Sequence, residues 1–170
     1  MEIKEAWRNL TAIAHCSEEE IDLAWAALLL AATNCPGLDI AQEIAVLDSL
    51  AAGAARRLCD RRDPLFCVNT ISEYLFDELG FRGNNDDYYD PRNSYLNEVL
   101  ARRLGIPITL SLVYVEVGRR LDVPLLGVGM PGHFMVRHCD IDDLFVGPFH
   151  GGILLTEKEC AERVMQVTQA

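Results

Sequence analysis

His133 is the residue of this sequence with the clearest capacity for acid–base chemistry. It follows Pro131-Gly132 and opens the apolar run Phe134-Met135-Val136, so a rigid turn would hold the imidazole at the start of a strand. A histidine held in this way can act as the base that activates a hydroxyl or a thiol for attack on an amide or thioester carbonyl. A histidine after Pro-Gly can also be a structural hydrogen-bond donor, so its chemistry depends on a nucleophile beside it.

Two hydroxyls and two thiols are the candidate nucleophiles. Thr109 and Ser111 lie in the first turns of a predicted helix and could point towards His133. Backbone bonding by Thr109 and core packing by Ser111 are the simpler interpretations. Cys67 is predicted near the start of another helix, where the electrostatic setting favours a thiolate, but no pattern places it beside His133. Cys139 follows the His133 strand and is better suited to the core.

A second set of residues could bind a ligand without reacting with it. Tyr88 and Tyr89 stand before a predicted helix start, where aromatic side chains with polar tips often form a recognition surface. Asn93 and Ser94 belong to that helix start, and a capping role for Ser94 is enough to explain its presence. His150 precedes two glycines, which indicate close approach of the backbone to another strand or to a peptide-like ligand.

The first part of the chain is predicted to form helical hairpins. Ser17-Glu18-Glu19-Glu20 has the form of a helix cap, and the apolar residues that follow recur at helical spacing until residues 34–37. A second helix is predicted over about residues 39–57. Asp63-Pro64 opens a third helix, which Gly80 ends.

The polar connection at residues 81–92 is predicted to consist of solvated turns. Asn93 or Ser94 is expected to cap the next helix, which runs to residue 104. After a break at Gly105, a further helix is predicted from Pro107 to about residue 121.

The pattern changes after residue 122. The runs at 123–130 and 134–138 are predicted to be strands on either side of Pro131-Gly132, and residues 143–146 could pair with them in an antiparallel meander. Thr156 is expected to cap a final helix that reaches about residue 167. Helices first and a small sheet later predict an α+β fold.

Composition limits the partners that this chain can have. A length of 170 residues predicts a single domain with a substantial core. The formal charge of −11, without a basic patch, argues against nucleic acid or an anionic membrane surface as the main partner. The most apolar stretch, at residues 21–32, is too short to span a bilayer, and no signal pattern stands at the start. A cytoplasmic location is therefore expected.

Metal sites and cofactors are not predicted. The six cysteines are scattered without CxxC pairs or a Cys/His cluster, so free thiols are expected. The acidic turn at residues 84–87 lacks the alternating ligands and distal glutamate of an EF-hand. We therefore expect this protein to have neither a metal ion nor a cofactor.

Several motifs occur in a fixed order over one continuous segment. They are Asn93-Ser94, Arg102-Arg103, Gly105-Ile106-Pro107-Ile108, Leu110-Ser111, Tyr114, Pro131-Gly132-His133-Phe134 and Gly147-Pro148-Phe149-His150-Gly151-Gly152. In this order they resemble the SirB-type branch of the transglutaminase-like superfamily, over roughly residues 63–160. The resemblance implies a single domain, residues 1–170, in which helical hairpins of residues 1–62 pack on a transglutaminase-like core of residues 63–170 with a small antiparallel sheet.

The resemblance also implies a catalytic triad that this sequence does not complete. The family places a cysteine at the start of a buried helix, a histidine on the next strand and an Asp or Asn on the strand after it. Here residues 107–109 begin that helix without a cysteine, and Gly147 stands where related sequences have aspartate; only His133 matches.

Two functional hypotheses follow from this incomplete triad. The first is a degenerate site that binds a peptide or protein segment as a non-catalytic, regulatory module. The alternative is a hydrolase or acyl-transfer enzyme that acts on an amide or thioester, with His133 as base and Ser111, Thr109 or an unplaced cysteine as nucleophile.

Overall fold

Helices make up most of the chain, and a small sheet follows them. The computed structural model describes residues 1–59 and 61–168, apart from the side chains of residue 18 and residues 166–168. The helices are α1 (Ile3–Ile13), α2 (Leu23–Ala32), α3 (Ile40–Leu58), α4 (Pro64–Ser72), α5 (Leu96–Arg102), α6 (Pro107–Arg120) and α7 (Glu157–Thr168). The strands are β1 (Arg82–Gly83), β2 (Leu104–Gly105), β3 (Leu125–Met130), β4 (His133–His138), β5 (Phe145–Gly147) and β6 (Ile153–Leu155). The predicted α+β class is confirmed.

Aspartate side chains begin three of the helices. Asp22 caps α2, Asp39 caps α3 and Asp63 caps α4, each accepting a hydrogen bond from the backbone N–H three residues further on, at 2.9, 3.2 and 2.8 Å. These bonds satisfy backbone donors that the first turn of a helix leaves unpaired. The predicted starts of α3 and α4 are confirmed. In the part of the chain that the structure describes, no helix is long and apolar enough to cross a bilayer.

The predicted cap of α2 at Ser17 is wrong. The Ser17 backbone N–H and hydroxyl both donate to the Glu20 carboxylate, at 3.1 and 2.8 Å, and close a short 3-10 turn, Glu18–Glu20. The helix begins only at Leu23, because the extended backbone of Asp22 separates the 3-10 turn from α2. The Asp22 side chain then caps the helix. The Ser17 pattern therefore marks a turn that precedes the helix.

Two predictions for the segment before α5 are also wrong. Residues 81–92 are not only solvated turns, since β1 pairs in parallel with β2 and Asn84 is buried. Neither Asn93 nor Ser94 caps α5, whose N-cap is Tyr95 without a side-chain bond. A 3-10 turn, Pro91–Ser94, intervenes and is capped by Asp90, which accepts from the backbone N–H of Arg92 at 3.0 Å.

The larger sheet is an antiparallel meander in the order β3-β4-β5-β6. The three predicted strands are confirmed, and β6 extends the sheet beyond them. Since side chains alternate along a strand, Val136 faces the main core together with Val146, whereas Met135 packs on the other face with Leu155 and Cys160. The sheet is thus covered by α6 on one face and partly by α7 on the other.

Helix α6 lies at the centre of the main core. It packs against α3, against β3 and β4, and against the turn after β5. Tyr114, in the middle of α6, is fully buried, and its hydroxyl lies 2.8 Å from the Val68 carbonyl and 3.1 Å from the Ser72 hydroxyl. Burial raises the pKa of Tyr114, so the hydroxyl stays protonated and donates a hydrogen bond to α4.

A buried carboxylate on α6 carries a charge into this core. Glu116 is only 1% exposed and pairs with Arg120, which also bonds the exposed Asp48 on α3 at 2.7 Å. Arg119, which is largely exposed, reaches the same Glu116 oxygen at 3.0 Å. Through its bond to Asp48, the Glu116–Arg120 pair links α6 to α3.

Loss of Arg120 should destabilise the fold much more than loss of Arg119. Arg120→Ala leaves Glu116 buried with a weaker, exposed partner, so we expect the free energy of unfolding to fall by about 3 kcal/mol. Arg119→Ala is the matched control and should cost less than about 1 kcal/mol. Urea unfolding followed by circular dichroism measures both. Equal losses in the two variants would contradict the assignment of Arg120 as the main partner.

Candidate functional site

Five aromatic rings form a continuous series of contacts beside β4. The Tyr88 ring lies 5.3 Å from Tyr89 and 5.9 Å from Phe149, both edge to face. Phe149 lies 5.3 Å from His150, whose ring is 6.2 Å from that of His133. We call this set the aromatic strip. It joins His133 to three residues predicted to bind a ligand, Tyr88, Tyr89 and His150, although they come from three separate parts of the sequence.

Glycines make the close packing of the strip possible. A Cβ at Gly83 would lie 2.6 Å from the Phe149 ring, so only glycine lets that ring rest on β1. Gly152 has a left-handed backbone, with φ of 74°, and its missing Cβ leaves room for Phe76. The close backbone approach expected near His150 is therefore present at two places: the Phe149 ring lies on Gly83 of β1, and the Gly152 backbone lies against Phe76.

Asn93 holds the loop that carries Tyr88. Its side-chain amide donates to the backbone carbonyls of Asp87 and Tyr88, at 2.8 and 3.1 Å. Its amide oxygen accepts from Asn84 at 3.1 Å and from Arg102 at 2.9 Å. Because every polar atom of this buried side chain has a protein partner, Asn93 positions the strip rather than contacting a ligand.

Ser94, the neighbour of Asn93, takes no part in this arrangement. It is exposed at the end of the 3-10 turn. The structure gives it neither a capping role nor a place in the aromatic strip. Of the two residues that open this motif, Asn93 alone is tied to the candidate site.

The two candidate hydroxyls have partners other than His133. The Thr109 hydroxyl donates to the Asn93 carbonyl at 2.8 Å and accepts from the backbone N–H of Ile106 at 3.1 Å. The buried Ser111 hydroxyl lies 3.4 Å from the Phe134 carbonyl. Thr109 thus fastens α6 to the loop, and Ser111 faces the backbone of β4.

His133 and His150 form the polar end of the strip. His133 is half-buried, and within the described ranges no carboxylate, hydroxyl or thiol is hydrogen-bonded to its ring. Burial lowers the pKa of His150, and the positive charge of Arg163 on α7 and the neighbouring His133 lower it further. The His150 imidazole is therefore neutral at pH 7 and offers one donor and one acceptor.

Gly147 stands at the position from which an acidic side chain would orient His133, and aliphatic side chains surround it. Gly147 and Met135 lie on neighbouring strands, and by alternation Met135 shares a face of β4 with His133. A Cβ at Gly147 would lie 3.2 Å from Ile153 and 3.3 Å from Met135. A side chain at this position would require both neighbours to move by a few tenths of an ångström.

The two buried thiols are not activated for attack. Burial raises the pKa of Cys67, whose thiol lies 3.7 Å from the Arg61 carbonyl, and burial likewise raises the pKa of Cys160. A raised pKa reduces the thiolate that attacks a carbonyl. Among the described residues, no group of three or more His, Cys, Asp or Glu could hold a metal ion.

Three residues of the site were not identified from the sequence as site residues. Phe149 joins the tyrosines to the histidines, Arg163 acts on His150 from α7, and Asn84 bonds to Asn93. The glycine next to Asn84 was a usable signal for Phe149, because it leaves space for a ring. Nothing in the local pattern connects Arg163 with His150, since only the packing of α7 brings them together.

Comparison with known proteins identifies the family. The family model of the transglutaminase-like superfamily matches residues 41–170. The chain belongs to this superfamily. A UPF0162 protein of Xylella fastidiosa is 41% identical over 163 residues, which cover 92% of this chain and 55% of the relative. A UPF0162 protein of Pseudomonas aeruginosa is 34% identical over 151 residues, which cover 89% of this chain and 55% of that relative. The predicted SirB-type branch of the transglutaminase-like superfamily is confirmed.

The transglutaminase-like segment also occurs within longer proteins. F-box only protein 21 of Mus musculus is 42% identical over 102 residues, which are 55% of this chain and 16% of that protein. The chain spans about half the length of the bacterial relatives it matches. No solved structure matches it.

Asn93→Ala should destabilise the domain, whereas Ser94→Ala should not. Removing the Asn93 side chain leaves the partners of four hydrogen bonds unpaired in a buried loop, so we expect a loss of about 2–4 kcal/mol. Ser94→Ala should change stability by less than about 0.5 kcal/mol, because Ser94 caps nothing. Urea unfolding compares the two variants. A cost near 1 kcal/mol for Ser94→Ala would restore it as a helix cap.

The pKa of His150 should depend on Arg163. In a proton NMR titration, the midpoint of His150 should lie below the ordinary value of about 6.5. Arg163→Gln removes a positive charge and should raise the pKa of His150, whereas Lys158→Gln, which removes an exposed charge on the same helix, should not. A midpoint at or above the ordinary value in the unmodified protein would contradict the burial of this ring.

The same pKa fixes how His150 contributes to stability. Since the pKa of His150 is lower in the folded chain, the unfolded chain binds more protons between the folded and unfolded pKa values. The free energy of unfolding should therefore fall as the pH drops from about 6.5 through the folded pKa. His150→Gln should flatten this part of the stability profile, measured by urea unfolding.

Proposed function

We propose that this transglutaminase-like domain binds a peptide or protein segment at the aromatic strip and that its triad is degenerate. The observation that carries the proposal is the continuous row of rings from Tyr89 to His133, whose imidazole has no hydrogen-bonded hydroxyl, thiol or carboxylate among the described residues. A site of this kind supplies contact area and hydrogen bonds but no covalent chemistry. Its role is then regulatory or adaptor-like.

The strip has the properties of a recognition surface. Tyr89 is 91% exposed and Tyr88 is 41% exposed, so both rings are available to a partner. Aromatic rings give a large contact area and lose little conformational entropy on binding. At the other end, neutral His150 and half-buried His133 can bond to the N–H and C=O groups of a peptide backbone.

Rigid support also favours binding. The loop that presents Tyr88 is held by the buried Asn93, and Phe149 rests on Gly83. Because these contacts exist before a ligand arrives, little ordering is needed on association. Preformed geometry of this kind increases affinity without new contacts.

Occurrence in a larger protein is consistent with a modular role. A segment similar to 55% of this chain makes up only 16% of F-box only protein 21. The domain is thus combined with other parts in that protein. A peptide-binding module is useful in such a chain even when it has no activity of its own.

A hydrolase or acyl-transfer enzyme with His133 as base is the alternative. It requires a nucleophile that can reach the imidazole, and Thr109 and Ser111 are bonded elsewhere. It also requires a group that orients the ring, and aliphatic side chains occupy the space beside Gly147. These contacts favour binding over catalysis.

Peptide selection tests the proposal. A random dodecapeptide display library is panned against the immobilised protein, and affinities of the selected peptides are measured by fluorescence anisotropy. Tyr88→Ala and His133→Ala should weaken binding by about tenfold or more, because Tyr88 joins Tyr89 to Phe149 and His133 forms the opposite end of the strip. Trp7→Ala, an exposed aromatic on α1 outside the strip, is the matched control and should bind as the unmodified protein does.

Hydrolysis assays decide between binding and catalysis. Cleavage of p-nitrophenyl acetate and of an acetyl thioester should be no faster with the unmodified protein than with His133→Gln. Turnover that is lost in both His133→Gln and Ser111→Ala would establish the enzyme alternative. Selected peptides that bind to Tyr88→Ala and His133→Ala as tightly as to the unmodified protein would refute the strip as the site.

A further inference from the structure

Strand β3 forms an open edge of the larger sheet. The strand order places it first, with β4 as its sheet neighbour. Its six residues, Leu125–Met130, contain no proline and no charged side chain. Sheet edges are normally protected by such residues, because an exposed edge can pair with another chain.

The register of the sheet shows which backbone groups of β3 are free. The Cys139 N–H donates to the Pro124 carbonyl at 2.9 Å, so these residues form a hydrogen-bonded pair. Since such pairs alternate along an antiparallel ladder, Leu126 and Val128 bond to β4, and the N–H and C=O groups of Gly127 and Gly129 point outwards. Both glycines are exposed, and within residues 1–59 and 61–168 no hydrogen bond reaches their outward groups.

An apolar groove on the α6 side of the sheet meets this edge at Gly127. It has a volume of about 400 Å³, and its lining includes Gly127, Phe134, Leu23, Leu30 and Ile108. The last three side chains are each about half exposed, at 51%, 47% and 51%. Alternate side chains of an added strand would point into this groove, as in peptide recognition by strand addition.

An acidic groove adjoins the apolar one at Leu23 and Gly127. It has a volume of about 500 Å³, and exposed Glu19, Glu20 and Asp22 stand at its rim. Arg119 in the same groove is paired with Glu116. The unneutralised charge beside the edge is therefore negative, which favours a basic partner.

We propose that β3 is a docking edge for an extended segment of a partner protein, in which apolar residues alternate and basic residues flank them. Backbone groups of the segment pair with Gly127 and Gly129, its apolar side chains enter the groove beside Phe134, and a basic side chain meets Glu19, Glu20 or Asp22. A second copy of this chain does not fit as well. Each copy has a formal charge of −11, and pairing two β3 edges would bring two acidic rims together.

This docking edge is separate from the proposed peptide site at the aromatic strip. Phe134 faces the apolar groove, whereas His133 points to the opposite face of β4. The two surfaces can therefore be tested independently. Tyr88→Ala should leave binding at β3 unchanged.

A designed peptide and two variants at one position test the docking edge. The probe is the capped peptide Lys-Lys-Val-Thr-Val-Thr-Val-Lys-Lys, titrated by fluorescence anisotropy. Gly129→Pro removes an outward N–H that β4 does not use and should weaken binding by about tenfold or more. Gly129→Ala keeps the N–H and is the matched control, since its Cβ would lie 3.8 Å from Phe134, an ordinary contact.

Amide hydrogen exchange of the unmodified protein tests strand pairing at Gly127 and Gly129 without a variant. In the free protein, the amides of Gly127 and Gly129 should exchange quickly, whereas those of Leu126 and Val128 should be protected by β4. Saturation with the probe peptide should slow exchange at both glycines. Exchange at Gly127 and Gly129 that does not change at saturation would overturn the proposal.

The remaining outcomes are equally decisive. No binding of the lysine-flanked peptide up to about 1 mM, or equal binding to Gly129→Pro and Gly129→Ala, would overturn strand addition at β3. A peptide with glutamates in place of the lysines should bind about tenfold more weakly, and equal binding would refute the basic partner. Protection of both glycines at high protein concentration without peptide would assign the edge to self-association instead.

Discussion

Burial of α6 is the constraint on which the rest of the structure depends. Its flanks pack against α3, the larger sheet and the turn after β5, so each of these elements is placed by contact with one helix. Because α6 is buried, two of its polar side chains need hydrogen-bonding or charged partners inside the core. Tyr114 places a hydroxyl beside α4, and Glu116 places a charge that Arg120 neutralises. Removing a partner from either group would leave it unsatisfied in a medium that cannot hydrate it.

The candidate site lies at the periphery of that core and is built from loops that hydrogen bonds hold in place. The buried Asn93 side chain ties the Tyr88 loop to α5, and the Thr109 hydroxyl ties the Asn93 backbone to α6. Phe149 then bridges from the end of β5 to the tyrosines. Hydrogen bonds at the base of the strip thus hold it in place, whereas the rings of Tyr88 and Tyr89 remain exposed.

The fold is that of a transglutaminase-like domain, and three of its candidate nucleophiles are committed to structure. A nucleophile needs a free hydroxyl or a thiolate, yet the hydroxyls of Thr109 and Ser111 are bonded to backbone and the Cys67 thiol is buried. The proposed binding role rests on two separate surfaces, the exposed rings of the aromatic strip and the open edge of β3. A binding role makes use of both surfaces without requiring reactive groups.

Local sequence patterns determined the α+β class, the starts of α3, α4 and α6, and the three strands around Pro131-Gly132, because periodicity, aspartate caps and proline act within a few residues. The motifs from Asn93 to Gly152 also determined the family. Tertiary structure alone decided that Asn93 enters a buried network instead of capping α5, that Arg163 acts on His150, and that β3 keeps a free edge. These features depend on contacts between residues far apart in the chain. Such contacts are set by the packing of whole elements, which no local pattern encodes.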